Sequence, residues 1–329
     1  MPPDPADSAA AEAPIAVTGA TGFIGLRLCL HLRRQGFPVR ALTRSPSRAT
    51  PLQAAGIETV TGDLAAPAAL ARLVEGARAV IHCAGAVRGR TRKDFDGANV
   101  TGLARLLEAL TAKPTPRLLA LSSLAARAPH LSHYAASKQA GERLLLEHGG
   151  KISWTLLRPP AVYGPGDREL LPLFRIMRHG LGPVPGQLSD RVALLYVDDL
   201  TAAITAWLRA PSAPRGIFSL CDPREQGYTW TDILSTAATV FGRPVRPLRI
   251  PAMALRGVAA LNWAGATVIG YTPMLTPGKV RELRHTDWVC GWRELGGAID
   301  WQPRVALAEG LALTLGGDVA PPCRPGGEA

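Results

Sequence analysis

The sequence predicts an α/β fold, a doubly wound parallel sheet with a smaller C-terminal capping region. Three observations carry this expectation. Short apolar runs alternate with helical patterns from Ile15 to Arg158, a glycine-rich turn joins the first run to the first helix, and beyond Arg158 the chain becomes irregular and rich in Pro and Gly. Buried strands separated by helices imply right-handed crossovers, which put helices on both faces of a parallel sheet. With 329 residues the chain can form one large unit or two domains sharing a core.

Taken in order, Ile15–Thr18 reads as the first strand. The segment from Gly22 to Gln35 reads as a helix, with Ile24, Leu28 and Leu32 on one face, Gly36 as a stop and Pro38 just beyond. Val39–Thr43, Ile57–Thr61 and Ala79–Cys83 supply further strands, followed by Leu118–Leu121 and Trp154–Leu157. Helices are expected at Pro67–Glu75, Asp94–Ala112 and His133–His148, and Phe218–Leu220 is a candidate late strand. Between Ala252 and Ile269 only Arg256 and Asn262 are strongly polar. The many Ala and Gly residues make that stretch too weakly hydrophobic for a membrane span, so a buried helix is expected, with peripheral membrane contact the less favoured reading.

Apolar residues are 47% and charged residues 19%, which suits a compact chain and excludes disorder as the dominant state. The net charge of +11 comes from 37 Lys+Arg, of which five are lysines, and aromatics are only 5%. Without long basic runs or stacking aromatics, nucleic-acid binding is not expected. The five cysteines (Cys29, Cys83, Cys221, Cys290, Cys323) are scattered, which fits a reducing, cytoplasmic setting without disulfides or structural zinc. The seven histidines form no H-x-x-x-H or Cys/His cluster, so no metal site is expected.

The glycine turn is Thr18-Gly19-Ala20-Thr21-Gly22-Phe23-Ile24-Gly25. Gly19 permits a tight turn, Gly22 lets a pyrophosphate approach the backbone, and Gly25 lets helix and strand pack closely. The helix N-terminus then presents free N–H groups to phosphates. No G-K-[ST] follows, which disfavours a nucleoside-triphosphatase loop. The second strand ends in Thr43-Arg44, where an acidic residue would read the 2′-hydroxyl of NAD. Arg44 suits the 2′-phosphate of NADP instead, and a solvated surface arginine is the alternative. In Thr61-Gly62-Asp63-Leu64, Asp63 suits the adenine amino group or, alternatively, a helix N-cap.

Tyr134-Ala135-Ala136-Ser137-Lys138 puts a phenol and an ammonium on one helical face. An ammonium nearby favours the phenolate, so Tyr134 is a candidate acid/base. Leu121-Ser122-Ser123 ends the fifth strand at the edge where open α/β sheets hold ligands, and a serine hydroxyl there can hold a reacting oxygen.

Together TGATGFIG (18–25), VIHCAG (80–85), Asn99 in NVTGLARLLEAL, LLALSS (118–123), YAASK (134–138) and LRPPAVYGPGD (157–167) resemble the short-chain dehydrogenase/reductases, specifically the extended and atypical members grouped with NAD(P)-dependent epimerases and dehydratases. The resemblance covers roughly residues 13 to 205, with weaker echoes in YVDDLTAAI and around LTPGKVREL. The pattern of elements assigns a Rossmann domain to 13–222, with 165–192 contributing to the substrate side, and a substrate-capping region to 223–315, while composition assigns disordered tails to 1–12 and 316–329. The resemblance itself bears on the site. It implies a catalytic set of Ser123, Tyr134 and Lys138, with Asn99 supporting a water-linked proton relay. Ser123 rather than Ser122 follows from the motif's register. The cofactor is then expected along Gly19, Thr21, Gly22, Phe23, Ile24 and Gly25, at Arg44, Asp63 and Leu64, beside Ala84 and Gly85, at Lys138, and against Pro159 and Val162. His82 reads as a packed residue behind the cofactor. For Tyr163 and Asp167, substrate-facing and turn or capping roles both fit; Asp198 and Asp199 read as caps.

Nucleotide-sugar members carry S-S-x-x-V-Y-G and a longer gap before the tyrosine. Here Ser123 precedes Leu124-Ala125-Ala126-Arg127, and Tyr134 follows soon after. The lean is towards a reductase similar to the 3β-hydroxysteroid and dihydroflavonol relatives. The expected activity is therefore an oxidoreductase that prefers NADP(H), with NAD(H) as the second option, moving a hydride to or from a carbonyl/alcohol carbon of a small organic substrate. The alternatives are a nucleotide-sugar epimerase/dehydratase that retains its cofactor, and a non-catalytic NADP(H)-binding scaffold. Among relatives of this kind a homodimer is a common assembly.

Overall fold

A computed structural model describes residues 13–111, 117–269, 272–273 and 275–316. The segments expected to be tails, 1–12 and 316–329, lie outside the described residues apart from Gly316.

Seven strands form one parallel sheet: β1 (Ile15–Thr18), β2 (Val39–Thr43), β3 (Glu58–Thr61), β4 (Ala79–His82), β5 (Arg117–Leu121), β6 (Trp154–Arg158) and β7 (Gly216–Ser219). Their spatial order is β7-β6-β5-β4-β1-β2-β3. The order reverses between β1 and β4, and ligands of doubly wound sheets lie at such a reversal. The late strand expected near Phe218 is present and extends the edge beside β6.

The helices are α1 (Phe23–Arg34), α2 (Pro46–Ala54), α3 (Pro67–Val74), α4 (Arg92–Asp96), α5 (Gly102–Thr111), α6 (His133–His148), α7 (Leu171–Arg178), α8 (Val197–Arg209), α9 (Trp230–Phe241), α10 (Ala252–Ile269), α11 (Pro277–Leu283), α12 (Arg293–Ile299) and α13 (Leu307–Leu315). Because strand side chains alternate, β1 sends Ile15 and Val17 to one face and Ala16 to the other. The first face is covered by Leu28 and Leu32 of α1, Leu200, Ile204 and Trp207 of α8, and Leu295 and Ile299 of α12. Leu70 and Leu73 of α3, Leu106 and Leu110 of α5 and Leu145 of α6 cover the second. Each fully buried aliphatic side chain contributes about 1.5–3 kcal/mol relative to exposure, so these two layers dominate the stability of the sheet.

A third core lies beyond the sheet, where Phe174 and Met177 of α7 meet Ile233 and Leu234 of α9 and Leu311 of α13. Short parallel ladders, Ala161–Tyr163 on Leu194–Tyr196 and Leu181–Val184 on Arg246–Arg249, tie this part together.

Three elements differ from the sequence expectation. The long helix expected at Asp94–Ala112 is interrupted by a π-helical turn at Gly97–Thr101, which carries Asn99. Single π turns of this kind concentrate at functional sites. The unforeseen α2 starts with Pro46, whose fixed φ suits a first helical turn. The stretch Ala252–Ile269 is helical, as expected, but not buried: Leu255 and Ala259 face α11 while Met253 and Leu261 are three-quarters exposed.

Candidate active site

Gly19 has φ +69°, and a Cβ there would fall 2.6 Å from Ala84 N. The first turn is thereby pressed against the chain leaving β4, where Ala84 N donates to Thr18 Oγ1. A Cβ on Gly25 would stand 2.1 Å from Gly19 O, so only glycine lets α1 start this close to β1. Gly22 is exposed at the N-cap of α1, no side chain caps that end, and its first turn holds no acidic residue. Phe23, Ile24 and Thr21 are half-buried around it, with Phe23 within van der Waals reach of Gly166. An uncapped helix start over glycine backbone at the sheet's reversal fits the pyrophosphate of a dinucleotide.

Arg44, at the end of β2, is exposed, and its guanidinium has no ion-pair partner among the described residues. Asp63 is also exposed; its Oδ1 accepts from Ala65 N at 2.8 Å, and α3 is capped by Ala66 rather than by Asp63. Leu64 packs against Gly102 of α5. Pro159 O accepts from Leu124 N at 2.9 Å, and Val162 pairs with Leu195. His82 is buried at the end of β4, hydrogen-bonded to Thr18 Oγ1 at 2.8 Å. Burial and the Lys138 charge push its imidazole down to about 3, so it stays neutral in its packed position.

Ser132 caps α6, accepting from Ala135 N at 2.9 Å, and so sets the start of the helix that carries Tyr134 and Lys138. The Ser123 side chain faces the Tyr134 hydroxyl and favours its ionised form. Ser122 turns the other way and donates to Glu142, a buried carboxylate that also receives two bonds from Arg158. Lys138 Nζ donates to Leu121 O at 3.0 Å. Burial drives its ammonium down to about 8, with Glu142 partly opposing the shift. The sequence pattern implied a phenol made acidic by that ammonium. Instead burial pushes Tyr134 up; Ser123 opposes it, Glu282 adds to it, and Lys279 opposes it.

A Cβ on Gly85 would lie 2.9 Å from Asn99 Oδ1 and 3.0 Å from Lys138 Nζ, so these three residues meet. The Asn99 amide is fully engaged: Oδ1 accepts from Ala86 N, and Nδ2 donates to Ala86 O and to Ser137 Oγ. Gly141 lets α6 approach, since a Cβ there would stand 2.5 Å from Asn99 O. Asn99 therefore locks the Gly85–Ala86 loop onto the tyrosine helix.

Tyr163 is fully buried between Phe174 and Tyr196. Asp167 accepts from the backbone N–H groups of Glu169, Leu170 and Leu171, which favours the turn and capping reading over a substrate-facing one. Asp198 and Asp199 are not helix caps. The first pairs with Arg27 at 2.6 Å, and the second accepts from Arg304 and Val305 N–H groups.

In front of Tyr134 lies a cavity of about 250 Å³. Val87, Phe95, Trp263 and Pro277 give it apolar wall, while Arg88, Arg90, Lys279, Arg281 and Glu282 bring charge. Lys279 pairs with the buried Glu282 at 3.0 Å, and Glu282 in turn accepts from Ser132. Burial works against the Lys279 charge, but Glu282 more than offsets it and raises its pKa. These α11 residues lie about 150 positions beyond the tyrosine. Only the weak LTPGKVREL echo pointed to them.

Comparison with known proteins agrees with this architecture. The chain is 42% identical over 275 residues to a ceramide reductase of Caulobacter vibrioides, covering 83% of this chain and 85% of that one. It is 33% identical over 211 residues to a 2-alkyl-3-oxoalkanoate reductase of Stenotrophomonas maltophilia, covering 57% and 63%. A solved UDP-glucuronic acid 4-epimerase from Bacillus cereus, in complex with UDP-glucuronic acid and NAD, superposes with TM-score 0.69 at 20% identity, covering 92% and 97%. Residues 15–221 match the model of the NAD dependent epimerase/dehydratase family, and the chain belongs to that family as an NAD(P)-dependent enzyme of the short-chain dehydrogenase type.

Proposed function

We propose that this enzyme reduces the 3-oxo group of a long-chain amphiphile with NADPH, Tyr134 acting as the acid; the same groups serve the reverse oxidation. The observation that carries the reading is Tyr134, which faces Ser123 and lines a cavity of mixed apolar and cationic walls, with Lys138 one helical turn away. The two relatives named above are, by name, a ceramide reductase and a 2-alkyl-3-oxoalkanoate reductase, and Val87, Phe95 and Trp263 give the cavity apolar wall for an alkyl chain.

When bound, the nicotinamide supplies the hydride. The α1 start and the glycine turn would hold the pyrophosphate, the free Arg44 guanidinium the 2′-phosphate, and Lys138 the ribose hydroxyls. Ser123 and Tyr134 hold the carbonyl oxygen from one side, which polarises it and fixes its distance from the phenolic proton. A phenol raised by burial remains protonated at neutral pH, as an acid for carbonyl reduction must. Proton transfer from Tyr134 Oη leaves a phenolate that the Ser123 hydroxyl and the Lys279 charge stabilise. Among the described residues Cys29, Cys83, Cys221 and Cys290 are free thiols, in keeping with a cytoplasmic setting.

Following NADPH and NADH oxidation with 3-oxo-dihydroceramide, 2-alkyl-3-oxoalkanoates and UDP-glucuronate tests the reading. Oxidation of NADPH with the two lipid ketones is expected. Epimerisation of UDP-glucuronate without net cofactor turnover, with the ketones inert, overturns it.

A further inference from the structure

One exposed face of the capping region is both apolar and free of acidic charge. In α10 the buried side is narrow: Leu255, Ala259 and Ala266 face inward, spaced four and seven residues apart. The remaining arc presents Met253 (75% exposed), Val258 (57%) and Leu261 (76%) to solvent, with the exposed Ala254 and Gly257 beside them. Arg256 is the helix's sole charged residue and lies at the flank of that arc. Exposed apolar patches of this extent mark interaction surfaces.

Charge is distributed to match. No Asp or Glu occurs between Asp232 and Glu282, whereas Arg243, Arg246, Arg249, Arg256, Lys279 and Arg281 all do. The strand Arg246–Arg249 is exposed throughout, and Leu248 is half-exposed between its arginines. Arg243, Arg246, Arg249 and Arg256 are exposed and have no ion-pair partner among the described residues. The strand runs directly into α10, and α10 leads to the active site: Trp263 lines the cavity in front of Tyr134, and Ala266 O accepts from Arg90 at 2.9 Å.

We propose that α10 and the arginine-bearing strand before it dock this protein onto an anionic lipid bilayer. Apolar side chains enter the headgroup boundary and the flanking arginines meet lipid phosphates, as in interfacial helices. Among the described residues no helix is long and apolar enough to cross a membrane, so α10 lies on the surface. A symmetric pairing with a second copy would bring the same unpaired arginines towards one another, which an anionic surface avoids. The consequence, which rests on the reading of the cavity as a long-chain ketone site, is that substrate passes from the bilayer along α10 to Tyr134.

Flotation of the full chain with phosphatidylcholine vesicles, with and without roughly one-third phosphatidylglycerol, tests this. Binding to the anionic vesicles is expected. Met253→Asp with Leu261→Asp should weaken it at least about tenfold, the equivalent of two partly inserted side chains. Arg246→Glu with Arg249→Glu should remove most of the preference for anionic lipid. All four positions are exposed, so NADPH binding and thermal melting should not change. Absence of binding to either vesicle overturns the proposal, as does equal flotation of the aspartate variant. A dimer in light scattering that the aspartate variant splits, without vesicle binding, assigns the face to a second copy and likewise overturns it. Inactivity towards lipid ketones with vesicle binding intact counts against the reductase reading alone.

Discussion

The Ser122 hydroxyl donates to Glu142 Oε1 at 2.5 Å, and this bond separates two adjacent serines that are chemically alike. Glu142 is buried and also holds Arg158, so Ser122 belongs to a structural network behind the site. Ser123 faces Tyr134. Ser122→Ala is expected to cost about 1–2 kcal/mol of stability in guanidinium unfolding, because it removes one partner of a buried carboxylate, with kcat nearly unchanged. Ser123→Ala should instead lower kcat by about a hundredfold with little change in stability. The opposite pattern would exchange their roles.

Tyr134→Phe removes the proposed proton donor and keeps the ring against Phe95, whose centroid lies 6.0 Å away. Turnover should fall by about 10²–10⁴-fold, while NADPH affinity measured by fluorescence stays within about twofold. A phenylalanine variant as active as the parent refutes the acid role.

The Lys138 ammonium, lowered by burial to about 8 from 10.5, makes two pH-dependent statements. Tyr134 is raised rather than lowered, so the alkaline limb of kcat/KM for reduction should fall with an apparent pKa near 8, set by Lys138 and not by the phenol. For stability, the folded pKa lies below the unfolded one, so the unfolded chain binds more protons between pH 8 and 10.5 and stability from this group rises with pH across that window. Lys138→Met should therefore raise Tm most below pH 8, with the gain shrinking towards pH 10.5. A gain that grows with pH contradicts this account.

If Arg44 holds the 2′-phosphate as proposed, Arg44→Ala should weaken NADPH at least about tenfold, through loss of a charge-assisted bidentate pair, and should leave NADH within about twofold. Titration of both cofactors into the purified variant checks this. Equal losses for the two remove the assignment.

What the sequence determined by itself is what short-range pattern encodes. The alternation of apolar runs and helices specified the parallel sheet, and Gly19 and Gly25 specified the turn onto α1, because backbone clearance at those two positions excludes any side chain. The four-residue spacing of Tyr134 and Lys138 followed from helix geometry alone. The tertiary structure decided what depends on distant partners. Glu142 selected between Ser122 and Ser123, and the Ala86 loop with Ser137 determined what the Asn99 amide does at its π turn. Burial, not charge, set the direction of the Tyr134 shift, and Lys279 and Glu282 reached the cavity from a helix far along the chain. The same reason explains α10. Its composition announced an apolar helix, but whether that face meets protein or solvent depends on which elements fold over it, and α11 covers only the Leu255–Ala259 side.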